Sequence, residues 1–213
     1  MLAQARTHWL YAYVALSLLT GVRTEEARAL QWSHVVTWVE EAGQWQPVVM
    51  AGFGHDKLAV YVWRSVRAGG DTKTKKSRRT LEVPDEVAKA LRQHHKKQAA
   101  KRLRAGEASQ DNDLVFCTRN GKPLAAGNVR RAFRSITTAT GIGEDWTPRE
   151  LRHTFVSIMS DNDVPIEKIA DLVGHRTTVV TETVYRHQLR PVIETGATAM
   201  NSILNRQGKT QSK

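Results

Sequence analysis

The hydrophobic pattern of this chain changes period twice, at Ser33 and again at Pro84. Before Ser33, Trp9, Leu10, Tyr13, Leu16 and Leu19 recur in helical phase, which predicts a mostly buried helix over residues 5–19 that Thr20-Gly21 breaks. Thr24, followed by Glu25 and Glu26, reads as the N-cap of a short helix running to about Gln31. Between Ser33 and Arg67 the β-formers Val35, Val36 and Trp38, then Val48, Val49 and Met50, then Leu58 to Trp63 are separated by Gly43, Gly52 and Gly54. A polar, glycine-led loop over 68–77 leads into a further strand, Arg79 to Val83, which Pro84 ends. After Pro84 helical periods return, over Asp85–Arg104, Asn128–Thr140, Pro148–Ser160, Pro165–Val173, Thr177–Tyr185 and Pro191–Asn205. The predicted class is α+β, mainly α-helical with a small antiparallel β-sheet.

Apolar residues make up 40% of the 213, which excludes a fully disordered chain. One cysteine, Cys117, excludes a disulfide framework and a cysteine-rich zinc module. The apolar stretch Trp9–Thr20 is about twelve residues long, where a membrane span needs about twenty. No secretion signal precedes it, so a soluble, cytoplasmic protein without a membrane partner is expected.

Charge narrows the reading further. Of the net +11, a surplus of ten lies between Arg64 and Arg104, where fourteen basic residues face four acidic ones. Such a block attracts polyanions. The alternative is a solvated helix face together with a flexible loop.

Two helix ends carry chemistry. Thr147-Pro148-Arg149-Glu150 combines a capping box with proline at the first helical position. Arg149, Arg152 and His153 then share one face, and Leu151, Phe155, Ile158 and Met159 share the core face. Arginines disfavour a helix N-terminus, so two of them there point to a bound anion, against the alternative of surface arginines turned to solvent. At the other end, Gly174 closes the Ile166–Val173 stripe as a left-handed cap and pins His175 after it. Tyr185 follows ten residues later, and by its local pattern alone it is a packing residue.

Together these fragments resemble the catalytic domain of the tyrosine recombinases, the phage integrase family, and in particular its actinobacterial-type integrases. Thr20-Gly21-Val22-Arg23-Thr24-Glu25-Glu26 resembles the first arginine box, and Thr72-Lys73-Thr74 the catalytic lysine site. Leu151-Arg152-His153-Thr154-Phe155 resembles the second arginine box. Leu172-Val173-Gly174-His175, then Tyr185-Arg186-His187, resemble the histidine and nucleophile boxes. One departure is that Arg149 stands where the family usually has histidine, which keeps a donor but supplies a poor base.

The resemblance implies the tyrosine recombinase catalytic fold over residues 1–207, with a C-terminal helix at about 191–205, a polar tail over 208–213 and no N-terminal core-binding domain. It implies site-specific cleavage and rejoining of DNA through a 3′-phosphotyrosine, integrating or excising a mobile element without cofactor or metal. The implied roles are Tyr185 as nucleophile, Arg23 and Arg152 as phosphate clamps, Arg149 and His175 as further donors, and Lys73 as general acid. Lys75, Lys76, Arg78 and Arg79 are the expected DNA contacts. The implied partners are double-stranded attachment-site DNA, further copies assembling as a tetramer, and an accessory bending or directionality factor, all at the bacterial nucleoid. A type IB topoisomerase and a non-catalytic DNA-binding module are the alternatives.

Overall fold

A computed structural model of the protein describes residues 2–66, 78–106, 110 and 112–175. The helices are α1 (Leu2–Ala5), α2 (Tyr11–Thr20), α3 (Thr24–Arg28), α4 (Val48–Ala51), α5 (Asp85–Ala105), α6 (Ala126–Ala139), α7 (Glu150–Asp161) and α8 (Ile166–Val173). The strands are β1 (Val35–Val39), β2 (Gln44–Pro47), β3 (Leu58–Val62) and β4 (Arg79–Glu82), forming one antiparallel sheet in the order β2-β1-β3-β4. The predicted class therefore holds.

Helix α2 is the axis of the core. Nine of its ten residues are buried, and it packs against both α5 and α7. It is shorter than the predicted helix, because the chain turns at His8, whose ring Nδ1 accepts the Leu10 N–H at 3.1 Å. Val35 and Val60 face each other across β1 and β3 and are fully buried. Val87 and Leu91 carry that core onto α5. A smaller apolar cluster of Phe155, Val156, Ile169 and Val173 joins α7 to α8, and Leu172 packs against both clusters.

Two further expectations are corrected. Val48–Met50 belongs to helix α4 rather than a strand, since Pro47 sets its start and Gly52 its end. The edge of the sheet beside β1 is instead the polar segment Gln44–Pro47, held by Trp45 opposite Trp38 with ring centroids 5.6 Å apart. Ile158, assigned to the core face of α7, is 45% exposed, because α8 covers the Phe155 and Val156 side instead. The predicted helices at Thr177–Tyr185 and Pro191–Asn205 lie outside the described residues. Among the described residues no helix is long and apolar enough to cross a membrane.

Candidate active site

The last turn of α8 organises the site. Gly174 adopts the left-handed conformation, φ 66° and ψ 49°. Its N–H donates to Asp171 O at 3.0 Å, and the His175 N–H donates to Ala170 O at 2.9 Å. This is a Schellman closure, and it fixes the backbone that carries the His175 imidazole. The carbonyls at such a helix end have no partner within the helix and carry partial negative charge. Three successive ones are taken by guanidinium groups from three different parts of the chain. Arg79 Nε donates to Leu172 O at 2.7 Å, Arg152 Nη2 to Val173 O at 2.6 Å, and Arg23 Nη2 to Gly174 O at 3.0 Å.

Each arginine arrives by a local rule. Arg23 is the N-cap of α3, extended at φ −70° and ψ 152°, and its N–H is held by Glu26 Oε2 at 2.8 Å. It follows the sharp exit from α2 at Gly21, where φ is 65°. Only glycine fits there, since a Cβ would stand 2.5 Å from Phe155 Cδ1. Arg152 projects from the first turn of α7 and also donates through Nη1 to Gly21 O at 2.6 Å, so it ties the α2 exit to the α8 end. Arg79 opens β4.

The start of α7 differs from the predicted capping box. Glu150 reaches back to accept the Thr147 N–H at 3.0 Å, but the Thr147 hydroxyl donates to the same carboxylate instead of accepting from the helix. Regular helix begins at Glu150, and Arg149 lies exposed in the preceding turn beside the half-buried Arg152.

Among the described residues, Glu26 is the buried acid that these cations share. Its carboxylate accepts Arg79 Nη1 and Nη2 at 3.2 and 2.9 Å and Arg23 Nη1 at 2.8 Å. Burial alone would raise its pKa, but Arg79, with Arg23 beside it, pulls it down to about 2. Burial, then the charges of Arg23 and Arg79, brings Arg152 down to about 9, still cationic at pH 7. Burial, then Arg152, Arg23, Arg79 and His153, pushes His175 down to about 4, so its imidazole is neutral. Among the described residues, three guanidinium groups, one carboxylate and a neutral imidazole carry a net double positive charge, the complement of a phosphate group.

Arg23, Arg152 and His175 thus meet at the end of α8. Arg79 requires a correction. Expected as a DNA contact, its side chain is only 9% exposed and is turned into the protein against Glu26. Arg78, next to it, is exposed. Lys73, Lys75, Lys76 and Tyr185 lie outside the described residues. The sequence pattern gives Glu26 only as a first-turn acid of α3 and misses it as the carboxylate that Arg23 and Arg79 share. The available signal was Glu26 itself, three positions after Arg23 and able to reach back to its N–H.

The Phage integrase family model matches residues 1–190. An integrase of Streptomyces ambofaciens is 52% identical over 92% of this chain and 49% of its own length. A XerC-like tyrosine recombinase of Caldanaerobacter subterraneus subsp. tengcongensis is 25% identical over 84% of this chain and 46% of its own. The chain therefore spans about half the length of these curated relatives. Among solved structures, XerA recombinase superposes with a TM-score of 0.62 at 22% identity, covering 94% of this chain and 60% of that one. XerH recombinase bound to its palindromic difH substrate gives 0.63 at 17% identity, covering 93% and 47%. The fold is that of the tyrosine recombinases.

Proposed function

The chain belongs to the phage integrase family, and on that premise we propose that it is the strand-transfer domain of a site-specific DNA recombinase acting on double-stranded attachment sites. The observation that carries this reading is the meeting of Arg23, Arg152 and neutral His175 at the end of α8. Solved structures of relatives, such as XerH with difH and the Tn1549 transposon integrase with transposon right-end DNA, support DNA as the partner.

In the proposed reaction the Tyr185 oxygen attacks a backbone phosphorus and gives up its proton to solvent as the new P–O bond forms. The bond to the 5′ oxygen opposite breaks, and Lys73 protonates that oxygen. Negative charge grows meanwhile on the non-bridging oxygens. Arg23 and Arg152 present guanidinium donors to them, and His175 adds a neutral donor. These groups are held before the substrate arrives, so little reorganisation accompanies the charge. Arg149, exposed at the turn before α7, is read as a further donor to the phosphate. An arginine in place of the family's usual histidine keeps the donor role and is a poor base. The product is a 3′-phosphotyrosine and a free 5′ hydroxyl. A 5′ hydroxyl of a partner strand reverses the step, so rejoining uses no external energy. Exchange of both strand pairs calls for four copies on two sites, with an accessory bending or directionality factor setting direction at the nucleoid.

A nicked suicide DNA duplex tests this. The full chain is expected to become covalently attached to it, and Tyr185→Phe to give no adduct. Exchange between two sites then identifies a recombinase, whereas relaxation of supercoils without exchange identifies a topoisomerase. Persistence of the adduct in Tyr185→Phe overturns the assignment of the nucleophile.

A further inference from the structure

Arg79 contributes nothing to an outward-facing basic surface, although it lies in the most basic stretch of the chain. Its guanidinium uses all three nitrogens internally. Nη1 and Nη2 grip the two oxygens of Glu26, and Nε holds Leu172 O. Both targets lead to a residue of the proposed reaction. Glu26 accepts both the backbone N–H and Nη1 of Arg23, so it sets the direction in which that side chain points. Leu172 O belongs to the helix end whose closure carries His175. The fit around the group is close. A Cβ on Gly174 would stand 3.0 Å from Arg79 Nη1, so the side chain lies directly against the turn before His175.

Charge gives a second reason for the residue. With Arg23 as its sole cation, a buried Glu26 carboxylate would cancel the charge that Arg23 offers to a phosphate. A bidentate partner shares the carboxylate and leaves Arg23 a net donor. Arginine suits this position better than lysine, because a planar fork spans both carboxylate oxygens while its third nitrogen reaches the carbonyl.

We propose that Arg79 is a positioning residue for strand transfer, fixing Arg23 through Glu26 and His175 through the Leu172 carbonyl without touching DNA. This rests on the strand-transferase reading above. The test compares Arg79→Gln and Arg79→Lys with the parent in the full chain. It measures single-turnover adduct formation at saturating suicide DNA, Kd for the same DNA, the salt dependence of Kd, and melting temperature. A misplaced clamp lowers the rate by about 100-fold in Arg79→Gln. Arg79→Lys, which keeps the cation, is expected to recover about tenfold of that loss, with Kd within about threefold of the parent and the salt slope unchanged in both. The lysine variant decides alone if Arg79→Gln does not fold. Parental rates in a folded variant overturn the inference, and so does a weaker Kd with a shallower salt slope, which would make Arg79 a phosphate contact. A parent chain that forms no adduct overturns the strand-transferase reading and this inference with it, whereas a reactive parent with equally reactive variants overturns the inference alone.

Discussion

Three guanidinium groups around one imidazole give His175 a signature in solution. Its folded value of about 4 lies below the ordinary 6.5, chiefly through burial and then through Arg152, Arg23 and Arg79. The unfolded chain therefore binds this proton more readily than the folded one. The stabilisation is full above pH 6.5 and is lost progressively as the pH falls toward 4. His175→Gln is expected to show a shallower fall in unfolding free energy across that window, measured by denaturant unfolding at several pH values. His8, His34, His94 and His95 are lowered too, but they act equally in both proteins, so the difference isolates His175. Equal slopes would mean that the imidazole reaches solvent in the folded protein. At this scale the sequence was legible where a residue sits on a helix signal. Arg23 follows a glycine stop, Arg152 lies one turn inside a helix start, and His175 trails a left-handed glycine. Glu26 and Arg79 were not legible in the same way. A buried charge is tolerable only with its partner, and this pair is 53 residues apart, so neither local pattern contains it.

At the scale of elements, boundaries set by strong punctuation were readable. The long helix predicted from Asp85 to about Arg104 is α5, Asp85–Ala105, and the left-handed end of α8 falls at Gly174. The edge strand β2 was not readable, because an edge needs pairing on one side only and its residues remain half-exposed and polar. The junction of α2, α7 and α8 was visible only as a glycine. Gly21 is where these three elements meet, with Phe155 and Val173 both at 3.0 Å or less from the position of a Cβ. Alanine there would meet a left-handed backbone and an overpacked neighbour at once. Gly21→Ala is therefore expected to destabilise the fold by about 2–4 kcal/mol in denaturant unfolding. Phe155 can yield only by disturbing the small α7–α8 cluster to which it belongs. A loss below about 1 kcal/mol would show that this cluster repacks freely.

For the whole molecule, the total charge of the central block overstates the cation surface available to a polyanion. Arg79 is turned inward onto Glu26, Arg92 donates to His55 O and Arg102 to Asn112 O, so these side chains secure the fold. On α5, Lys89, Lys96, Lys97, Lys101 and Arg104 remain exposed. Arg78 is exposed as well, and it follows the segment that contains Lys75 and Lys76. A count of charges cannot distinguish these classes, but counterion release can, because only a cation that neutralises a phosphate contributes to the salt slope. Replacing Lys75, Lys76 or Arg78 singly by glutamine is expected to reduce the slope of log K against log salt by up to about one unit for each phosphate no longer neutralised. Arg79→Gln serves as the control, since its guanidinium already faces Glu26 and its removal releases no counterion from DNA. The comparison needs only equilibrium binding of the full chain at four or five salt concentrations. A slope that stays constant through Lys75, Lys76 and Arg78 would mean that this stretch faces away from the duplex, and the exposed cations of α5 would then be the remaining candidates for binding the DNA backbone.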